Sequence, residues 1–265
     1  MANRWTVTEE SAHREILQKL YIEQNLSLSE ISKKLSISQS TLFDRLNRLS
    51  IKTTPHLKTK YQNRRSDITI PEYSDELAEF IGIMLGDGHI SHFQTIVTLG
   101  TKEKKYVEYV AKLFEKLFGV KAKITRRKNI FQQKKYYDVY VGSVSITKWL
   151  NKMGMVQNKV KSQVDVPEWI FSDQNYVKSF IRGFFDTDGS IYKLRHGIQL
   201  SFSNRSAPLL NALQKALMKL EFSPSKVSFY KVYLTKIADV KRFFEEIKPK
   251  NPKHTKRFLD YASVV

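Results

Sequence analysis

Two well-separated stretches of this chain follow one plan. The later is Phe180-Ile181-Arg182-Gly183-Phe184-Phe185-Asp186-Thr187-Asp188-Gly189-Ser190, and the earlier is Phe80-Ile81-Gly82-Ile83-Met84-Leu85-Gly86-Asp87-Gly88. Each reads as an apolar helix that runs into a carboxylate and stops at a glycine. In register, Gly82 falls on Gly183, Gly86 on Thr187, Asp87 on Asp188 and Gly88 on Gly189. A chain that carries such a unit twice is constrained to build two like halves around one interface. Small residues four apart share a helix face, and glycine leaves room for a second backbone to approach. Gly82 and Gly86 make one such face, and Gly183 and Thr187 make the matching one. Helices packed along these faces bring their C-terminal ends together, with Asp87 and Asp188 as neighbours.

That pairing has a chemical consequence. Two carboxylates and the negative ends of two helix dipoles repel one another. A divalent cation relieves the conflict, and hard oxygen ligands suit Mg²⁺. A shared-metal site of this kind suits in-line attack of water on a phosphodiester. An EF-hand reading of Asp186-Thr187-Asp188-Gly189 fails, because with Gly189 at the sixth place the first is Phe184 and the twelfth Arg195. One Gly-Asp-Gly alone is ordinarily a cap and a turn. The second copy, followed by similar sequence, sets this pair apart.

Both stretches resemble the motif of the LAGLIDADG homing endonucleases, in the form with two copies in one chain, and the resemblance runs from Ser74 to the C-terminus. It implies an α+β fold, a pseudo-twofold pair of αββαββα repeats whose antiparallel sheets form a saddle over the major groove of double-stranded DNA. It implies that Asp87 and Asp188 jointly hold Mg²⁺ or Mn²⁺ and that each directs hydrolysis of one strand across the minor groove, leaving short 3′ overhangs. It also implies a lysine beside each scissile phosphate. Each repeat ends in an apolar helix followed nine to twelve residues later by a lysine, Lys159 after Leu150 and Lys256 after Phe244. These two are the candidates to polarise solvent or stabilise the phosphorane charge. Family members often carry a polar residue near the water network; Thr101 and Asn204 match weakly, and Leu99 departs from the pattern.

Residues 1–53 read as three short helices. The first runs from Thr8, its cap, to about Gln24, with Ile16, Leu17, Leu20 and Tyr21 as an apolar stripe. Leu28 to Leu35, a turn through Ser36-Ile37-Ser38, and Gln39 to Leu49 resemble a helix-turn-helix. In that motif the early residues of the second helix meet base edges. Gln39, Ser40, Thr41 and Arg45 occupy those places, and Arg48 is placed for phosphate. Residues 54–73 form a basic linker with Lys58, Lys60, Arg64 and Arg65 between Pro55 and Pro71, suited to following a phosphate groove.

The first repeat, 74–165, continues with a strand at Thr95–Leu99, a helix from Tyr106 to Phe118 closed by Gly119, a strand of alternating apolar and basic residues at Val120–Arg126, a return strand at Tyr136–Val141 and a helix at Ile146–Met153. The second, 166–265, repeats the order with strand Gly197–Phe202, helix Pro208–Leu220, strands Lys226–Phe229 and Lys231–Leu234, and helix Ile237–Ile247. Alternate strand positions are the candidates for DNA contact: Lys123, Thr125, Arg127 and Lys135 in the first half, Lys193, Arg195, Gln199, Ser201 and Lys231 in the second. His89 and His92 stand at H-x-x-H spacing, too few ligands for a metal site, and read as loop or DNA-proximal residues.

Composition narrows the partners. The 265 residues allow two or three domains, and a net charge of +19 points to a polyanion. The absence of cysteine excludes disulfides and thiolate zinc sites. No apolar run suits a membrane span or a signal peptide, which predicts an intracellular protein of cytoplasm or nucleoid, an organelle remaining open. Met1 and the Val264-Val265 end lack the nucleophile and His-Asn of an intein, which predicts a free-standing or intron-encoded product. Two unlike halves predict a monomer with a pseudo-palindromic target. Two other classes fit the same modules: a DNA-binding transcriptional regulator that uses the fold as a clamp, and an intron maturase. Presence of both motif aspartates favours the endonuclease over the regulator.

Overall fold

A computed structural model describes residues 6–24, 26–51, 67–100, 102–128 and 135–262. Lys58, Lys60, Arg64, Arg65 and Pro55 of the basic linker, and Thr101, lie outside the described residues. The chain divides into two compact units, Met1–Gln62 and Asn63–Val265.

The first unit is helical: α1 (Val7–Gln18) running into a π-helical turn (Lys19–Glu23), then α2 (Leu28–Leu35) and α3 (Gln39–Arg48). Thr6, not Thr8, caps α1. The spacing Thr6-x-x-Glu9 lets the Thr6 hydroxyl accept the Glu9 N–H at 3.3 Å while Glu9 accepts the Thr6 N–H at 2.7 Å. Ser27 and Glu30 make the same reciprocal box at the start of α2. Ser36 ends α2 in the left-handed region, and the Ser38 hydroxyl opens α3 by accepting the Thr41 N–H. Ile31, Leu42 and Leu46 bury against Leu17, Leu20 and Tyr21. Leu17 of α1 and Leu20 and Tyr21 of the π-helical turn fill the apolar stripe, and Ile16 falls at its edge and is exposed.

The second unit holds both repeats. The first is α4 (Asp75–Gly86), β1 (Gly88–Ile90), β2 (Gln94–Gly100), α5 (Lys104–Phe118), β3 (Lys123–Lys128), β4 (Lys135–Gly142) and α6 (Val144–Lys152), an αββαββα unit. Its antiparallel sheet has the order β1-β2-β4-β3. A 3₁₀ turn (Glu168–Ser172) leads into the second repeat: α7 (Gln174–Asp188), β5 (Gly189–Leu194), β6 (Gly197–Ser203), α8 (Ala207–Lys219), β7 (Lys231–Leu234), α9 (Ile237–Glu246) and α10 (Pro252–Ala262). Its sheet is antiparallel, β5-β6-β7.

The strand expected at Lys226–Phe229 is not formed; only an isolated Ser228–Lys231 bridge stands there. Pro224 precedes it, and Phe229 and Tyr230 both have positive φ, which a ladder cannot continue. Ser225 serves as the edge instead, its N–H donating to the Tyr233 carbonyl at 2.8 Å.

Both motif helices lie inside the unit. Leu77, Phe80, Ile81 and Leu85 of α4 and Val177, Phe180, Ile181, Phe184 and Phe185 of α7 are wholly buried. One face of each sheet covers them, through Val97 and Val139 in the first half and Ile198, Leu200 and Phe202 in the second. The strand period of two leaves the other face for polar residues. Among the described residues no helix is long and apolar enough to cross a membrane.

Candidate active site

The site is made by the close approach of α4 and α7. A Cβ placed on Gly82 would collide with the Phe180 carbonyl oxygen, and one on Gly183 with the Glu79 carbonyl oxygen. Gly86 lies against the Thr187 hydroxyl in the same way. Thr187 donates that hydroxyl back to the carbonyls of Gly183 and Phe184 at 3.2 and 3.0 Å, so it leaves no orphan donor at the contact.

At the foot of this pair stand Asp87, the residue that ends α4, and Asp188, the last of α7. Both are half-buried. Burial pushes the Asp87 carboxyl up to about 7, the charge of Asp188 pushes the same way, and Glu103 adds to it; Lys253 and Lys159 pull it back. Burial also raises Asp188, against an Asn204 Nδ2–H donated to its Oδ2 at 2.9 Å and against Lys159 and Lys253. No third His, Cys, Asp or Glu among the described residues completes a metal cluster with them. The donor set is two hard oxygens from two carboxylates that burial and mutual repulsion keep poorly compensated, which fits Mg²⁺ or Mn²⁺ with most coordination positions left to other oxygens.

Lys159 reaches this point from outside both motif helices. Its Nζ donates to the carbonyls of Met84, Leu85 and Gly86 at 2.9, 3.1 and 2.5 Å, the last carbonyls of α4. A helix end leaves those acceptors without intrahelical donors, and a cation there meets the negative end of the dipole. Burial lowers the Lys159 pKa, while Asp188 and Asp87 hold it up.

Lys256 is not its counterpart. It is exposed one turn into α10, and the cation that reaches the carboxylates is Lys253, in the first turn. Lys253 Nζ lies 3.2 Å from Glu103 Oε1. The sequence signal was present: Lys253 follows Phe244 by the same nine residues that separate Lys159 from Leu150.

Asp186, the other motif acid, holds α10 in place. It is wholly buried, and its Oδ2 and Oδ1 accept the N–H groups of Lys250 and Asn251 at 2.8 and 3.1 Å. Asn251 Nδ2 donates to the Asp186 carbonyl at 3.1 Å and to Glu103 Oε2 at 2.8 Å. The chain Asp186–Asn251–Glu103–Lys253 thus ties α7 to α5 and fixes where Lys253 stands. Burial raises the Asp186 carboxyl to about 7 in spite of the two N–H donors. His254 next to it is buried against Phe185, ring centroids 4.5 Å apart, and burial pushes its pKa down to about 3, so the imidazole is neutral.

Strand parity decides which DNA-contact candidates share a face. Register puts Thr98, Asp138 and Thr125 in one row across β2, β4 and β3, and His89, Ile96, Tyr140 and Lys123 in the next. Lys123, Thr125 and Arg127 therefore share the outer face, all exposed, and Arg127 Nε is held 3.2 Å from Asp138 Oδ2. Lys135 does not join them; it is one residue out of phase, on the face of Tyr137 and Val139. In the second half Gln199 and Lys231, both half-buried, lie on the outer face with Ser190 and Tyr192. Lys193 falls on the opposite face with Ile191 and Ile198, and Arg195 is in the β5–β6 turn. Ser201 has the right parity but is fully buried between Ser190 and Tyr233, so its hydroxyl is closed to DNA. In the helical unit Gln39, Ser40 and Thr41 are exposed at the start of α3, with both hydroxyls also within reach of Ser38 Oγ, at 2.9 and 2.8 Å. Arg45 is half-buried, and Arg48 lies 3.9 Å from Glu10.

The chain is 28% identical over 197 residues, 71% of its length, to a replication factor C small subunit of Methanocaldococcus jannaschii, and spans only a tenth of that relative. Among solved structures it is similar to the N-terminal LAGLIDADG domain of DUF199/WhiA (19% identity, TM-score 0.47, 68% of this chain and 84% of that one). It is also similar to the homing endonuclease I-WcaI bound to its DNA recognition sequence (15% identity, TM-score 0.49, 75% of this chain and 91% of that one). A family model for the LAGLIDADG-like domain matches residues 74–154 and 175–248, more than half of the chain, and to that family the chain belongs.

Proposed function

We propose that this protein is a site-specific, double-strand DNA endonuclease that hydrolyses phosphodiester bonds with a divalent metal. The observation that carries the reading is the convergence of Asp87 and Asp188 at the ends of two abutting helices, each carboxyl raised by burial. Asp87 and Asp188 would hold Mg²⁺ or Mn²⁺ between them. Such an ion, when bound, polarises a phosphoryl oxygen and acidifies a water. Asn204 holds one oxygen of Asp188 and fixes its rotamer. Lys159 neutralises the end of α4, and Lys253 supplies positive charge beside Asp87, where a phosphorane would gain negative charge. The outer faces of the two sheets carry Lys123, Thr125, Arg127, Gln199 and Lys231 toward the duplex, and the α2–α3 pair adds Gln39, Ser40 and Thr41 as a helix-turn-helix reader. Because the halves differ in sequence, the active form is a monomer on a pseudo-palindromic target.

The test is to incubate the protein with DNA spanning its gene's insertion site, first with Mg²⁺ and then with Ca²⁺. Both strands are cut in the first case and the DNA is only bound in the second. Asp188→Asn lowers cleavage by at least about 100-fold with binding retained. Unchanged cleavage by that variant removes Asp188 from the chemistry. Binding under both ions with no scission points instead to a DNA-binding regulator.

A further inference from the structure

Phe229 and Tyr230 form the tip of a two-residue hairpin, closed by Ser228 N–H to Lys231 O at 3.0 Å and Lys231 N–H to Ser228 O at 2.9 Å. Both have positive φ, 46° and 61°. The type I′ turn of a two-residue hairpin has that backbone at both central positions, and glycine, asparagine or aspartate normally supplies it. A pair of large aromatics there is strained. Side-chain packing does not offset this, because Phe229 is 94% exposed and Tyr230 62%, and neither ring fills the core of the described residues. The tip lines one groove with Gly86, Lys159, Asp188, Asn204, Arg205 and Lys231. It is also wired to the carboxylate: Asn204 donates its N–H to the Tyr230 carbonyl at 3.1 Å and its Nδ2–H to Asp188 Oδ2 at 2.9 Å.

We infer that the Phe229-Tyr230 tip is a stacking wedge that enters DNA beside the cleavage site, unstacks a base step and sets Asp188 through Asn204. The chemistry of the groove selects the occupant. An exposed aromatic ring among Lys159, Arg205 and Lys231 is a surface for a base flanked by phosphates. An apolar protein partner would not want those cations at the rim of its contact. The inference rests on the endonuclease reading for the position of the DNA, and it adds a residue, Phe229, that the metal chemistry does not need.

The test uses the full chain, Ca²⁺ in place of Mg²⁺, and duplexes recovered by cleavage selection with 2-aminopurine moved stepwise across the cut. Wild type raises the fluorescence at one step. Phe229→Ala abolishes the rise and weakens binding about 10-fold, while Phe229→Trp keeps both. Phe229→Gly relieves the turn, so its thermal midpoint rises by a few degrees while the fluorescence rise is lost. Unchanged fluorescence and affinity in Phe229→Ala overturn the wedge. So does a wild-type dimer that this substitution splits with DNA binding intact, which would assign the tip to protein contact. If wild type neither binds nor cuts any duplex, the endonuclease reading fails and the wedge with it. If wild type cuts and Phe229→Ala behaves identically, the wedge alone fails.

Discussion

Asp87 and Asp186 are carboxyls that the native fold keeps protonated well beyond the range of an unfolded chain, and this sets how stability follows pH. Both rise from an ordinary 3.8 to about 7. Between those values the unfolded chain has released the protons and the native protein still holds them, so stability is full below the lower value and is lost as pH rises through the upper one. The metal-free protein is therefore expected to melt at a lower temperature at about pH 8 than at about pH 5. Because a metal binds the ionised form, Mg²⁺ should restore much of the loss at the higher pH and do little at the lower. Thermal melts of wild type and Asp87→Asn, with and without Mg²⁺, check this; a wild-type melting point indifferent to Mg²⁺ at about pH 8 would speak against a shared ion. The aspartates were legible in the sequence because each stands at the same place in a duplicated phrase. Lys253 is harder to tell from Lys256, because both follow the apolar helix at a similar distance and only the nine-residue interval shared with Leu150 and Lys159 separates them. Lys135 and Lys193 stand one step of strand parity away from the other candidates, which composition cannot reveal because both are still exposed.

Helix and strand ends show the same division between what is local and what is not. The boxes at Thr6 and Ser27 and the cap at Ser38 are short-range hydrogen-bond patterns, and they fix where α1, α2 and α3 begin; of Thr6 and Thr8 only Thr6 has an acid three residues on, which is why it and not the expected Thr8 is the cap. The missing strand at Lys226–Phe229 was illegible because its residues favour extended structure, while the hairpin they enter needs a left-handed tip. Helix α10 lies beyond the repeated pattern, and what holds it is tertiary: the Asp186 bonds to Lys250 and Asn251, and Phe258 stacked on Phe244 with centroids 4.1 Å apart. The helix pair itself is the element most exposed to a single change. Gly82→Ala puts a methyl group on the Phe180 carbonyl, with backbone on both sides and no flexible side chain to yield. It is expected to cost about 2–4 kcal/mol. Chemical denaturation followed by tryptophan fluorescence tests this, since Trp149 and Trp169 report on the second unit. A wild-type midpoint would mean that α4 and α7 do not meet as closely as described.

Two like halves joined in one chain face a problem of partner choice, because α4 of one copy could in principle pair with α4 of another. The molecule breaks its own symmetry at the buried contact. Glu79 of α4 and Arg182 of α7 are 2.6 Å apart, Glu79 is 2% exposed, and Tyr109 donates its hydroxyl to the same carboxylate at 2.6 Å. In register with Gly82 and Gly183, the counterparts of these two residues are Phe180 and Ile81. An α4–α4 pair would therefore bury two carboxylates against isoleucine, and an α7–α7 pair would bury two guanidinium groups against phenylalanine. Such an ion pair contributes little net stability against an apolar replacement, but half of it alone is costly. Glu79→Gln, which strands Arg182, is expected to lose about 3–5 kcal/mol. The triple variant Glu79→Leu, Tyr109→Phe, Arg182→Leu should recover most of that loss while giving up selectivity. Wild type should run at the monomer mass of 31.0 kDa in light scattering, and the triple variant should show a concentration-dependent fraction at twice that. A strictly monomeric triple variant would show that the glycine faces alone choose the partner and that the ion pair serves only to fill the interface.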